Sequence, residues 1–146
     1  MKFKTGIAHF FVSIISLILI NTCSEAQNYM PIKVEGAYAT KPLIGNNSVA
    51  AYMVLKNQTN QTLTIDKISC DNFFAAFHES KIDSNSKMVM KKLDKVVIKS
   101  HSEVNFQPSG KHIMIMSEDF PNNLEVINCH LSVGKEKKYP LVFIIK

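Results

Sequence analysis

Short runs of alternating apolar and polar residues, cut at close intervals by turn residues, limit what this chain can fold into more than any other feature. Residues 32–38 alternate, residues 49–56 form a strongly apolar stretch, and residues 63–68 alternate again. Successive side chains of an extended strand point to opposite faces, so a period of two predicts half-buried β-strands. The pattern continues through the aromatic run 73–77, which carries His78 at its end, then through 88–90, 96–98, 104–106, 124–133 and 139–145. Polar breaks fall at 42–48, 57–61 and 83–86, and Pro108-Ser109-Gly110 makes a tight turn just before His112. Beyond residue 26 no amphipathic helical period of convincing length occurs. Roughly eight to ten short strands joined by Gly, Pro and Asn turns predict an all-β chain, built as a two-layer sandwich or barrel. Asn-x-Ser/Thr triplets begin at Asn46, Asn57 and Asn60 and are expected to mark surface turns.

The N-terminus reads as an address. Lys2 and Lys4 precede an apolar run over residues 7–20, too short and too N-terminal for a membrane span, and Ser24-Glu25-Ala26 supplies small residues where a signal peptidase inspects them. Residues 1–26 are therefore expected to be a signal peptide cleaved before Gln27. Residues 27–146, roughly 120 residues, are the size of one ordinary domain. The rival reading is lipid attachment at Cys23, which Thr22 suits only loosely because a smaller residue usually precedes a lipidated cysteine. Either way the folded part works outside the cytoplasm, as a periplasmic protein or as a membrane-anchored lipoprotein. Lipidation at Cys23 is its one expected route to a membrane.

Charge and motif content exclude several functions. The whole chain carries +5, and loss of Lys2, Lys4 and Glu25 leaves +4, all of it from scattered lysines because the sequence has no arginine. Without the planar guanidinium fork that reads guanine edges and clamps phosphates, nucleic acid is not an expected partner. There is no nucleophile elbow, His-Glu-x-x-His or phosphate loop, so the chain is not expected to be an enzyme. Cys70 and Cys129 remain after signal cleavage. Two readings stand for them, buried thiols acting as small apolar residues or a disulfide stapling two strands. Copper ligation through both sulfurs is disfavoured, because their only neighbouring donor, His130, points to the opposite face of its strand.

The chemistry-bearing residues are imidazoles and thioethers. His112 and Met114 stand two apart on an extended stretch, so their side chains leave the same face roughly 6.5 to 7 Å apart and can converge on one ion. Met116 continues that face and is a substitute ligand. Met88 and Met90 also share a face with each other, and geometry alone does not choose between them. His78, near a turn, completes a set of two imidazoles with thioethers at matching offsets, whereas His9 lies in the signal and His101 and His130 look like ordinary loop or surface residues. Soft thioether sulfur selects Cu(I), and imidazole completes such a site without a thiolate. A blue-copper centre, which needs a cysteine beside two imidazoles, is not indicated. A methionine stripe on a strand can equally be core filler. The alternative function is therefore a metal-free extracytoplasmic β-sandwich that binds a protein partner.

These residues resemble a known pattern, that of the periplasmic copper chaperones of the PCuAC type, over nearly all of residues 27–146. Members show a His, about ten residues, a Met, twenty-one residues, then His-x-Met. Here Met90, the twenty-one residues 91–111, His112 and Met114 match the second half, and Met88 does not fit the count. Eleven residues, 79–89, separate His78 from Met90, which implies a one-residue insertion in the loop 83–86. Further landmarks are Ala50-Ala51-Tyr52 on a strand ending at Asn57, Phe77-His78-Glu79, and the turn Gln107-Pro108-Ser109-Gly110-Lys111-His112; Tyr38 stands where a Trp is common. The resemblance implies a single cupredoxin-like Greek-key β-sandwich that binds one Cu(I) through His78, Met90, His112 and Met114. It also implies delivery to a copper-acceptor protein, either the binuclear copper centre of a cytochrome c oxidase or a thiol-bearing assembly factor.

Overall fold

The structure is a computed structural model and describes residues 30–134 and 137–146. The expected signal peptide 1–26 and Cys23 lie outside the described residues. Ten strands form: β1 (Ile32–Ala39), β2 (Ser48–Asn57), β3 (Leu63–Cys70), β4 (Phe74–Ile82), β5 (Met88–Leu93), β6 (Val96–Ile98), β7 (Glu103–Phe106), β8 (Lys111–Met116), β9 (Val126–Val133) and β10 (Lys137–Ile145). They pair in the order β5-β4-β8-β7-β2-β1-β10-β9-β3-β6, with a second contact between β8 and β2. One half of the sheet is β5, β4, β8, β7 and β2, and the other is β1, β10, β9, β3 and β6. Successive elements repeatedly change halves: β1 to β2, β2 to β3, β3 to β4, β5 to β6, β6 to β7 and β8 to β9. Such crossings oblige the two halves to close over a common interior. The result is the all-β, barrel-like sandwich that the alternation predicts.

Alternation sets which residues fill that interior. In β2, Val49, Ala51, Met53 and Leu55 are buried while the residues between them are half-buried. Facing strands contribute Ile113 and Ile115 from β8, Ile127 and Leu131 from β9, and Leu141 and Phe143 from β10 to one continuous cluster. Two strands change phase midway, and each does so through an extra residue. In β1 the register shifts between Glu35 and Tyr38, where Gly36 takes φ +61°, a conformation that suits glycine at a bulge. In β3 a shift between Ile65 and Lys67 lets Ile65 and Ile68, three apart, both face the core. Simple alternation through 63–68 is thus corrected to two short alternating pieces.

Two tie points hold the sheet together. Asn57, expected to mark a surface turn, is instead only 3% exposed. Its Nδ2 donates to the carbonyls of Gln61 (2.7 Å), Ile98 (3.1 Å) and Lys99 (3.0 Å), and its Oδ1 accepts from Thr59 N (2.9 Å). A single amide thereby joins the end of β2 to the turn after β6. The second tie is a disulfide between Cys70 and Cys129, which face each other across the β3–β9 pair.

Both ties give measurable expectations. Asn57→Ala strands buried carbonyls and an N–H, and should lower stability to urea by roughly 2–3 kcal/mol. A loss under half a kilocalorie would show that the amide is replaceable by water. Removing the bridge, which spans 59 residues of sequence, in a Cys70→Ala/Cys129→Ala double variant should cost roughly 2–4 kcal/mol. An unchanged urea midpoint would contradict that role.

Candidate metal centre

Pairing of β4 with β8 brings the two singled-out histidines face to face. In the antiparallel register Phe77 lies opposite Ile113, His78 opposite His112, and Ala76 opposite Met114. Phe77 and Ile113 point into the core, so His78, His112 and Met114 share the outer face. The imidazole centroids are 5.9 Å apart with planes inclined by 22°. His112 is only 7% exposed although it points outward, a degree of cover unusual for an outer-face residue. Its Nδ1 donates to the carbonyl of Gly110 (3.0 Å), and the Nδ1 of His78 donates to the carbonyl of Ala76 (3.3 Å). A carbonyl can only accept, so each neutral ring carries its proton on Nδ1 and leaves Nε2 with a free lone pair.

Among the described residues the thioethers divide into four groups, one of them Met30 alone, 45% exposed and bordering the groove between β1 and β10. Met53 is core filler at 2% exposure. Met114 and Met116 are half-buried on the outer face of β8, and Met88 and Met90 are 62% and 60% exposed on β5. Strand β5 pairs only with β4, placing Met90 opposite Ser80 and Met88 opposite Ile82, so both lie on the histidine face. Met90, His112 and Met114 line one depression of about 550 Å³, walled further by Thr40 and Lys41 from the start of the β1–β2 loop. Neither Met88 nor His78 is among its walls; His78 reaches the site only through its ring contact with His112. Met116 lines an adjoining depression that also contains Met114. A larger groove between β1 and β10 offers neither imidazole nor carboxylate. Neither His101, hydrogen-bonded to Asn60, nor the exposed His130 belongs to this face.

Several supporting residues were not visible in the sequence. The carbonyl of Gly110 accepts from Ser80 N (3.0 Å) as well as from the His112 ring, so one oxygen fixes both the strand spacing and the imidazole. Glu79 and Lys111, the neighbours of the two histidines, lie opposite each other and form an ion pair at 2.8 Å; Lys81 joins at 2.9 Å. Opposite charges flanking two histidines were the available signal, but it becomes legible only once the register is known. Hydrogen bonds from Lys111 and then Lys81 hold the Glu79 carboxyl at about 2, well below its ordinary 4.5, against the opposing effect of burial.

The outer face of this all-β sandwich thus brings Met90, His112 and Met114 to one shallow depression, with the His78 ring stacked beside His112. Residues 32–139 match the family model described as "Putative lipoprotein LpqE-like", and the chain belongs to this family. Among solved structures it is similar to the "Copper-bound PCuAC domain from PmoF2", at 18% identity and TM-score 0.63, over 80% of this chain and 93% of that one. It is also similar to the "Apo PCuAC domain from PmoF1", at 13% identity and TM-score 0.65, over 80% and 94%. A third similar structure is apo-DR1885 from Deinococcus radiodurans, at 20% identity and TM-score 0.60, over 100% and 93%. No curated protein matches the sequence. At these identities the neighbours establish the fold alone, that of PCuAC domains.

The Glu79 ion pair predicts a specific acid response of the copper-free protein. A carboxyl whose pKa falls on folding stabilises fully above its unfolded value and loses that contribution as pH drops through the folded value. The stability difference between wild type and Glu79→Gln should be constant above pH 4.5 and vanish toward about pH 2. Urea midpoints collected across that range test it, and a difference independent of pH would exclude the pairing as its source.

Proposed function

We propose that this protein is an extracytoplasmic Cu(I) chaperone that binds one copper through His78, Met90, His112 and Met114 and hands it to an acceptor protein. The observation that carries this reading is the His78–His112 pair, both rings locked through Nδ1 with Nε2 free. An ion about 2 Å from an imidazole nitrogen lies roughly 3 Å from that ring's centre. Two rings can therefore share one ion when their centres are within roughly 6 Å, and these are 5.9 Å apart. Met90 and Met114 border the same depression as His112 and supply soft sulfur. Likeness in fold to a copper-bound PCuAC domain supports the same cargo.

The donor set suits a carrier. Thioethers and neutral imidazoles put no negative charge on the ion and, unlike paired thiolates, do not close into a disulfide in an oxidising compartment. Copper can leave one ligand at a time as an acceptor's donors arrive. Membership of a lipoprotein-type family supports work outside the cytoplasm, in the periplasm or anchored through Cys23. The recipient in this reading is the binuclear copper centre of a cytochrome c oxidase, reached directly or through a thiol-bearing assembly factor.

The chain from residue 27 should bind one equivalent of Cu(I) in a competition titration against bicinchoninate. His112→Ala and Met114→Ala should each hold copper roughly 10- to 100-fold more weakly, the loss typical of a damaged metal site. Equal retention by wild type and both variants would end the chaperone reading and leave a metal-free interaction module.

A further inference from the structure

Resting on that reading, we propose that Met116 is the exit ligand for copper, a thioether that takes hold of the ion only while an acceptor displaces His78 and Met90. Met116 follows Met114 by two positions on β8 and shares its outer face, opposite Phe74 on β4 and Ser48 on β2. The step between such positions is roughly 6.5 to 7 Å, short enough for two flexible thioether arms to reach one ion between them. Met114 and Ser48 belong to both depressions, so the two are continuous and Met114 stands at the junction.

The two sides of Met114 differ in lining, and both are open to solvent, Leu43 and Met90 on one side being 68% and 60% exposed. Toward Met90 and His112 the surface is walled by Thr40, Lys41 and Leu43. Toward Met116 the neighbouring ring is Phe74, 80% exposed. A strand with one buried face should place polar residues on the other, yet β8 carries Ile113 and Ile115 inward and Met114 and Met116 outward. Core packing accounts for the isoleucines and leaves Met116 unexplained. An exposed apolar border beside a metal site is where a partner's surface makes contact. Copper that loses His78 and Met90 keeps His112 and Met114, and the Met116 sulfur restores a third donor. Each step forms one Cu–S or Cu–N bond as another breaks. Copper remains monovalent throughout, and no electron or proton is transferred.

The test loads the wild-type protein with Cu(I) and follows its transfer to bathocuproine disulfonate by stopped flow, alongside equilibrium retention. Met116→Leu keeps the apolar volume and removes the sulfur. Retention should stay within about twofold of wild type while transfer slows by roughly fivefold or more. Met88→Leu, which removes an exposed thioether from the same face but outside both depressions, should alter neither. Unchanged transfer in Met116→Leu overturns the proposal. So does a tenfold loss of retention, which would make Met116 a resident ligand, and so does equal slowing in Met88→Leu. A wild-type protein that binds no Cu(I) refutes the chaperone reading itself, an outcome visible in the retention measurement before any variant is compared.

Discussion

The antiparallel register between β4 and β8 is the constraint on which the candidate site depends. His78 and His112 meet only because Phe77 faces Ile113 inside the core while Glu79 faces Lys111 at its margin. Slipping either strand by one residue would turn its imidazole inward and its core residue outward, a cost no surface interaction could offset. The interior therefore fixes the site from behind. Gly110 reinforces it from the turn side, since its carbonyl binds a backbone N–H of β4 and the ring of His112 together.

The site differs from a rigid cage in how its donors are supported. The imidazoles sit on two strands at the middle of one half-sheet, held by packing and by hydrogen bonds to carbonyls. Met90 comes from an outermost strand that is exposed for most of its length. Local opening is easiest where few buried contacts oppose it. In the proposed site, rigid nitrogens and a loosely held sulfur would divide the labour in a way that suits cargo that must be released.

Much of this was readable in the sequence. The period of two located most of the strands, and the His112–Met114 offset placed two donors on one face without any knowledge of strand order. The remainder depended on contacts distant in the chain. Met88 and Met90 are equivalent by alternation, and only the way β5 lies beside β4 puts Met90 in the depression with His112. Asn57 read as a turn residue because its neighbours are polar; its burial follows from carbonyls some forty positions away. The cysteines left two readings open because nothing local shows that β3 and β9 are adjacent. Bulges at Gly36 and near Asp66 shift the apolar phase in ways visible in hindsight, as Ile65 and Ile68 stand three apart.

The position of β5 at the end of the strand order also leaves a row of its backbone groups open on one side. Such a border, bearing Met88, Val89 and Met90, could recruit a second molecule into a continuous sheet. Lys87, Lys91 and Lys92 punctuate it, all exposed. Like charges brought edge to edge repel, so the strand that carries Met88 and Met90 is guarded against fibre-like stacking by the lysines around it.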